Sequence, residues 1–225
     1  MKMAQKLGVA VYVVVCFNQQ LASLEAQEFF DYILVQKLKA CQLVVGHDFA
    51  MGRNRVGDIR WLRERISTRV IHSFELDGQR VSSTLIRQCL AEGQMHRVYE
   101  YLGRPYAITG VVVGGQKLGQ ALGFPTINLA RAGDFVLPAD GIYAGRCTTS
   151  YGVYKAAISV GIRPAIGGQH RVIEAYLLDY PGYSLYGNAV SLEFLEWLRE
   201  ERYFATLEAL REQIAQDVIA VRERI

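Results

Sequence analysis

The residues best able to do chemistry in this chain lie close together. Gly114-Gly115-Gln116-Lys117-Leu118-Gly119 leads into Gly123-Phe124-Pro125-Thr126-Ile127-Asn128. Glycines let a backbone approach phosphate oxygens closely, and successive N–H groups in such a run form an anion-binding concavity. Gly115, Gly119 and Gly123 are therefore candidates to cradle phosphate, with Lys117 as a point charge. Pro125 fixes the backbone just before Thr126, so the Thr126 hydroxyl and the Asn128 carboxamide are presented in a defined geometry. Both are oxygen ligands of the kind Mg²⁺ uses when it also binds substrate phosphates. Glycines alone fit hairpin turns as well, with Asn128 as a turn cap. The Pro-Thr-x-Asn tetrapeptide directly behind them favours the phosphate reading.

Other nucleotide signatures are missing. No two glycines are spaced G-x-G, which removes the dinucleotide fingerprint, and G-x-x-x-x-G-K-[ST] is absent as well. The four histidines and four cysteines are scattered without metal-ligand spacing, and no C-x-x-C occurs. Three of the cysteines stand in apolar surroundings, so buried free thiols in a reducing compartment are expected.

The elements that must position these groups change character along the chain. Val9–Phe17 is continuously apolar and β-branched, which predicts a strand buried on both faces of a parallel sheet. Ser23 is placed to cap a helix carrying Phe29, Phe30, Ile33, Leu34 and Leu38 at helical spacing. Leu43–Val45 reads as a second strand, Asp58–Arg65 as a helix and Arg69–Phe74 as a third strand, an α/β rhythm. The Ser82-Ser83-Thr84 run opens a helix that closes at Gly93, and a further helix ends near Gly103. Beyond Arg104-Pro105, short β-rich segments follow without intervening helices: 107–113, 142–148, 153–160, 172–180 and 189–195. They predict an antiparallel barrel or sandwich. Thr206 caps a closing helix with Leu207, Leu210, Ile214, Val218 and Val221 on one face. The expected domains are residues 1–103 (α/β) and 104–225 (β-barrel plus helix).

At 225 residues and 51% hydrophobic, the chain is long enough to give each domain a core. Its net charge of +3 demands no nucleic-acid partner. The basic excess sits in the first half, in Arg53, Arg55, Arg60, Arg63, Arg65 and Arg69, with a single aromatic, Trp61, among them. A solvated helix face and an anion site both fit that pattern. No signal-peptide pattern or membrane-length apolar run is present, so a cytoplasmic protein without a membrane partner is expected. Oligomeric state is not legible.

Gly-x-x-Leu-Gly-Phe-Pro-Thr-x-Asn, residues 119–128, resembles the signature of riboflavin kinases. So do Leu137–Gly145, Ser159–Pro164, Val172–Asp179, Leu185-Tyr186-Gly187 and Arg199-x-x-Arg202-x-Phe204. The first half is similar to the partner domain of the bacterial bifunctional riboflavin kinase/FMN adenylyltransferase (FAD synthetase) family. It matches through Val45-Gly46-His47-Asp48-Phe49, Gly52, Arg55, Gly57, Asp58 and the Val81–Arg87 segment. The resemblance implies an incomplete Rossmann-like nucleotidyltransferase domain followed by a riboflavin kinase barrel. It implies ATP, Mg²⁺ and riboflavin as reactants, FMN as product, Glu174 as catalytic base, and Thr126 and Asn128 as metal ligands. Tyr143, Tyr176 and Phe124 are weaker candidates for a flavin pocket.

Gln120-Ala121, Ile127 and Ala165 depart from the family pattern. H-x-G-H, which the adenylyltransferase uses together with a Ser-Ser-Thr-x-x-Arg type segment, occurs nowhere. Asp48, Ser82, Ser83, Thr84 and Arg87 are thus expected to be the remnant of an N-terminally truncated second activity. The alternative is a non-catalytic flavin- and nucleotide-binding remnant.

Overall fold

The computed structural model describes residues 2–115, 118–131, 135–165 and 168–225. They divide into two compact units, residues 1–80 and 81–225.

The first unit opens with α1 (Lys2–Lys6), α2 (Gln19–Ser23) and α3 (Ala26–Glu28), which continues into a π-wound helix Phe29–Lys37. Asn18 caps α2 by accepting from the Leu21 N–H at 2.9 Å. Glu25 and Glu28 bond each other's backbone reciprocally at the start of α3. Ser23, expected as the cap, therefore ends α2 instead, because a competent cap lies on either side of it. Strand β1 (Gln42–Gly46) follows, then a 3₁₀ turn Arg53–Arg55, α4 (Ile59–Arg63), β2 (Ser67–Ile71) and a hairpin of β3 (Glu75–Leu76) and β4 (Gln79–Arg80). β1 and β2 run parallel, from Gln42 opposite Ser67 to Gly46 opposite Ile71. Phe30, Met51 and Leu62 form the core, with Trp61 edge-on to Phe30 at 5.6 Å.

Val9–Phe17 is not the buried strand its composition predicts. It forms no strand, and Val11 is 76%, Val14 72% and Phe17 82% exposed. A run apolar on both faces becomes a buried strand only when flanked and covered, and this run has no strand partner among the described residues. Cys16, in the same run, is exposed, as is Cys41, whereas Cys89 and Cys147 are buried; all four thiols are free.

The second unit starts with α5 (Ser83–Ala91), whose cap Ser82 accepts from the Leu85 N–H at 3.2 Å, and α6 (Met95–Leu102), which stops at Gly103 with φ +64°. Strands β5 (Tyr106–Val113), β6 (Thr126–Arg131), β7 (Gly141–Thr149), β8 (Gly152–Ala165), β9 (Gly168–Leu177) and β10 (Ala189–Arg199) close an antiparallel barrel in the order β10-β5-β6-β9-β8-β7. A four-residue helix α7 (Leu118–Ala121) precedes β6, and α8 (Leu207–Arg224) ends the chain.

Side chains alternate across the barrel wall. Ile108, Val112, Leu129, Ile158, Ile173 and Leu192 face the interior, and burying each such side chain is worth about 1.5–3 kcal/mol. Cys89, Leu90, Met95 and Val98 join this same core. Packing therefore groups α5 and α6 with the barrel and divides the chain after Arg80, ahead of the sequence boundary at residue 103. Amphipathic α6 needs an apolar partner surface, and strands β5 and β10 supply it. No helix among the described residues is long and apolar enough to cross a membrane.

Candidate active site

Three strands carry the site on the outer face of the barrel. In β6 and β9, Asn128 stands opposite Glu174 and Thr126 opposite Tyr176. In β8, Ser159 stands opposite Glu174 and Ala157 opposite Tyr176. Directly opposed residues of antiparallel strands project to the same face. The rung Asn128–Glu174–Ser159 therefore lies beside the rung Thr126–Tyr176–Ala157, and all of these residues line one cavity of about 220 Å³. Glu174 is partly buried there.

The glycines ahead of β6 serve the geometry in different ways. A Cβ on Gly115 would overlap the Asn128 carboxamide, so only glycine lets that side chain sit where it does. A Cβ on Gly119 would overlap the Phe124 carbonyl oxygen and come within 3.3 Å of the Thr126 hydroxyl. Gly123 takes φ +87° to turn the chain into β6. The Gly123 N–H donates to Gln120 O at 3.2 Å and the Phe124 N–H to Gly119 O at 2.8 Å, so both amides are engaged within the turn. Lys117 lies outside the described residues.

The remaining walls are of a different character. Phe124 meets Tyr176 edge-on at 5.4 Å, Leu118 and Leu122 come from α7 and the turn behind it, and Phe204, Leu210 and Ile214 come from the β10–α8 loop and α8. At the far side Arg199 donates from Nε to Asp217 Oδ1 at 2.8 Å and from Nη2 to Oδ2 at 2.6 Å. A second cavity of about 470 Å³ shares Thr126 and Tyr176 with the first and is lined also by Tyr180, Tyr183 and Tyr186. The third aromatic candidate, Tyr143, belongs to the core: it is fully buried, donates to Ala139 O at 2.5 Å, and burial pushes its hydroxyl pKa well up.

Thr126, Asn128 and Glu174 offer hydroxyl, carboxamide and carboxylate oxygens, a donor set that fits Mg²⁺ held by few protein groups and by substrate phosphates. Sequence reasoning overlooked Ser159 as a neighbour of Glu174 and Asp217 as a cavity residue. Both left a signal. Ser159 is a polar outward position between apolar inward ones, and Asp217 is one carboxylate on the stripe of Leu210, Ile214 and Val221.

The five residues matched to the adenylyltransferase pattern are divided between the units. Asp48 lies in the first, beside His47, Arg55 and Arg60 in a shallow cleft. A hydrogen bond from Arg80 at 3.0 Å, helped by His47, holds its carboxyl below the usual range. Ser82, Ser83, Thr84 and Arg87 lie in the second unit, at the cap and first turns of α5. The arginine-rich stretch is partly engaged: Arg53 pairs with Glu25, Arg55 bonds Asp48 O, and Arg65 stacks on Trp61 at 3.8 Å.

Comparison with known proteins agrees with this arrangement. The riboflavin kinase (flavokinase) family model matches residues 102–225, and the FAD synthetase model matches residues 1–85. The bifunctional riboflavin kinase/FMN adenylyltransferase of Pseudomonas fluorescens is 39% identical over 96% of this chain, which spans 70% of that protein. The Escherichia coli K12 protein of the same name is 34% identical, with the same shares covered. Among solved structures, one described as a macrolide-efflux protein from Streptococcus pneumoniae superposes with a TM-score of 0.88 at 28% identity. The match covers 98% of this chain and 72% of that one. With the signature strand, the barrel around it and both family models in agreement, this chain belongs to the bifunctional riboflavin kinase/FMN adenylyltransferase family.

Proposed function

We propose that this chain transfers the γ-phosphoryl group of ATP to the primary hydroxyl of riboflavin's ribityl chain, giving FMN and ADP. The observation that carries the reading is the rung Asn128–Glu174–Ser159 beside Thr126, facing a cavity with an apolar side formed by Leu122, Phe124, Phe204, Leu210 and Ile214 and a charged far side that includes Arg199, Arg202 and Asp217. Riboflavin has the same two-part character, an apolar tricyclic ring joined to a polyhydroxyl tail. The tail is suited to the polar rungs, and the ring to the slot between Phe124, Tyr176 and α8.

In this reading the Glu174 carboxylate accepts the hydroxyl proton as the ribityl oxygen forms its bond to phosphorus and the bond from the γ-phosphorus to the β,γ-bridging oxygen breaks. Thr126 and Asn128 would hold Mg²⁺, which when bound supplies neutralisation of the β- and γ-phosphate charge. Gly115 keeps the Asn128 carboxamide seated, and Gly119 supports the turn against Thr126. The tyrosine-lined second cavity suits the purine ring, because aromatic side chains stack on nucleobases. FMN adenylylation is not expected of this chain acting alone, since H-x-G-H occurs nowhere in its sequence.

The test is incubation with riboflavin, ATP and Mg²⁺ followed by chromatographic separation. FMN and ADP should appear in equal amounts and only with Mg²⁺, and no FAD should accumulate. Absence of FMN would remove the kinase reading, and FAD formed from FMN and ATP would show that adenylylation is retained.

A further inference from the structure

Asp217 is, among the described residues, the one charged side chain that is buried. It sits in α8 in line with Leu210, Ile214 and Val221, at spacings that share one helix face. The stripe changes partner along its length. Val221 is fully buried against Ala144 and Leu178 on the barrel wall, whereas Leu210 and Ile214 line the open cavity. Asp217 lies at the changeover. There it takes the two-pronged bond from Arg199 at the end of β10, plus a third from Gln213 at 3.1 Å. The Arg199 and Asp217 side chains are 13% and 8% exposed, and Arg199 also donates to Glu200 O at 2.8 Å.

Apolar side chains left over an unfilled slot gain by closing it, so something must hold that half of the helix at a fixed distance. A planar guanidinium bonded at two points sets both distance and angle, as a single contact does not. We infer that Arg199 and Asp217 are a positioning pair that holds the α8 wall off the barrel and so fixes the width of the slot that receives the flavin ring. The inference rests on the riboflavin kinase reading of this cavity. The pair is remote in role from Thr126, Asn128 and Glu174: it acts on riboflavin affinity, not on phosphoryl transfer. The charges of Arg199 and Asp217 offset each other, so the pair itself adds no net charge to the side of the slot that would meet an uncharged ring.

The experiment measures riboflavin binding by quenching of flavin fluorescence, together with kcat and both KM values, for wild type, Asp217→Asn, Arg199→Lys and the double Arg199→Met/Asp217→Leu. Asp217→Asn and Arg199→Lys should weaken riboflavin binding by about tenfold or more, the scale of loss when a positioned group shifts by about an ångström. KM for ATP should stay unchanged, and kcat at saturating riboflavin should be largely kept. The double variant leaves no orphaned charge, so it should fold even if a single variant does not, and it should still bind riboflavin weakly. If the variants lose thermal stability while their riboflavin affinity matches wild type, the pair is only a structural tie and the inference fails. If wild type itself does not bind riboflavin, the reading of the cavity fails first and the pair's role goes with it.

Discussion

Glu174 illustrates how much a single position owes to its neighbours. On β9 it is one outward side chain of an alternating strand, and a carboxylate in such a place is ordinarily solvated. The proposal that it acts as the base rests on the family resemblance, and strand register brings Asn128 level with it on one side and Ser159 on the other. Replacing it with Gln keeps the size and one acceptor oxygen but turns the other into an N–H donor and removes the proton acceptor. Glu174→Gln should leave the melting temperature unchanged and lower kcat for FMN formation by about 10²–10⁴-fold, the usual worth of a positioned base. Turnover near the wild-type rate would remove Glu174 from the mechanism. Thr126, Asn128 and the glycines ahead of them were legible in the sequence because their types and order are unusual. Ser159 and Asp217 were not, because a serine on a strand and an acid on a helix are common, and only a partner across space gives them meaning.

At the level of elements, local rules held where the signal was local. Thr206 caps α8 as its sequence predicts, accepting from the Ala209 N–H at 3.2 Å. Ser82 likewise caps α5. Removing a cap of this kind costs about 1 kcal/mol. Thr206→Ala should therefore lower stability by that amount in urea unfolding. It should also weaken riboflavin binding, because the first turns of α8 carry Leu210 into the cavity wall, and Thr206→Ser should restore both. Unchanged riboflavin affinity in a destabilised Thr206→Ala protein would separate the cap from the site. Strand β6 was the element hardest to see. It is six residues long and enters behind proline and three nearby glycines, so it is missing from the β-rich segments expected from sequence, and its pairing with β5 and β9 is what defines it. Val9–Phe17 failed in the opposite direction. Its composition is that of a central strand, but strand formation depends on neighbours, which the run does not have among the described residues.

Across the whole molecule, the two units differ in what they bury, and the cysteines report on each. Cys16 and Cys41 are exposed in the first unit, while Cys89 and Cys147 lie in the core of the second. Burial raises both core thiols, that of Cys147 to about 12, so they are covered and also protonated at pH 8. A disulfide-exchange reagent at pH 8 should therefore titrate two thiols quickly in the native protein and all four after denaturation, with mass spectrometry locating the fast pair at 16 and 41. Rapid labelling of Cys147 in the native state would contradict the closed barrel. The sequence alone was enough to establish the order of α/β and β-rich regions, the caps of α5 and α8, and the family with its Pro-Thr-x-Asn signature, because each is written in neighbouring residues or in short spacings. The division after Arg80, the grouping of α5 and α6 with the barrel, the meeting of Asn128, Glu174 and Ser159, and the clamp between Arg199 and Asp217 came from packing. Those contacts join residues far apart in the chain, and which of them form depends on the apolar surfaces that remain uncovered once the local elements exist.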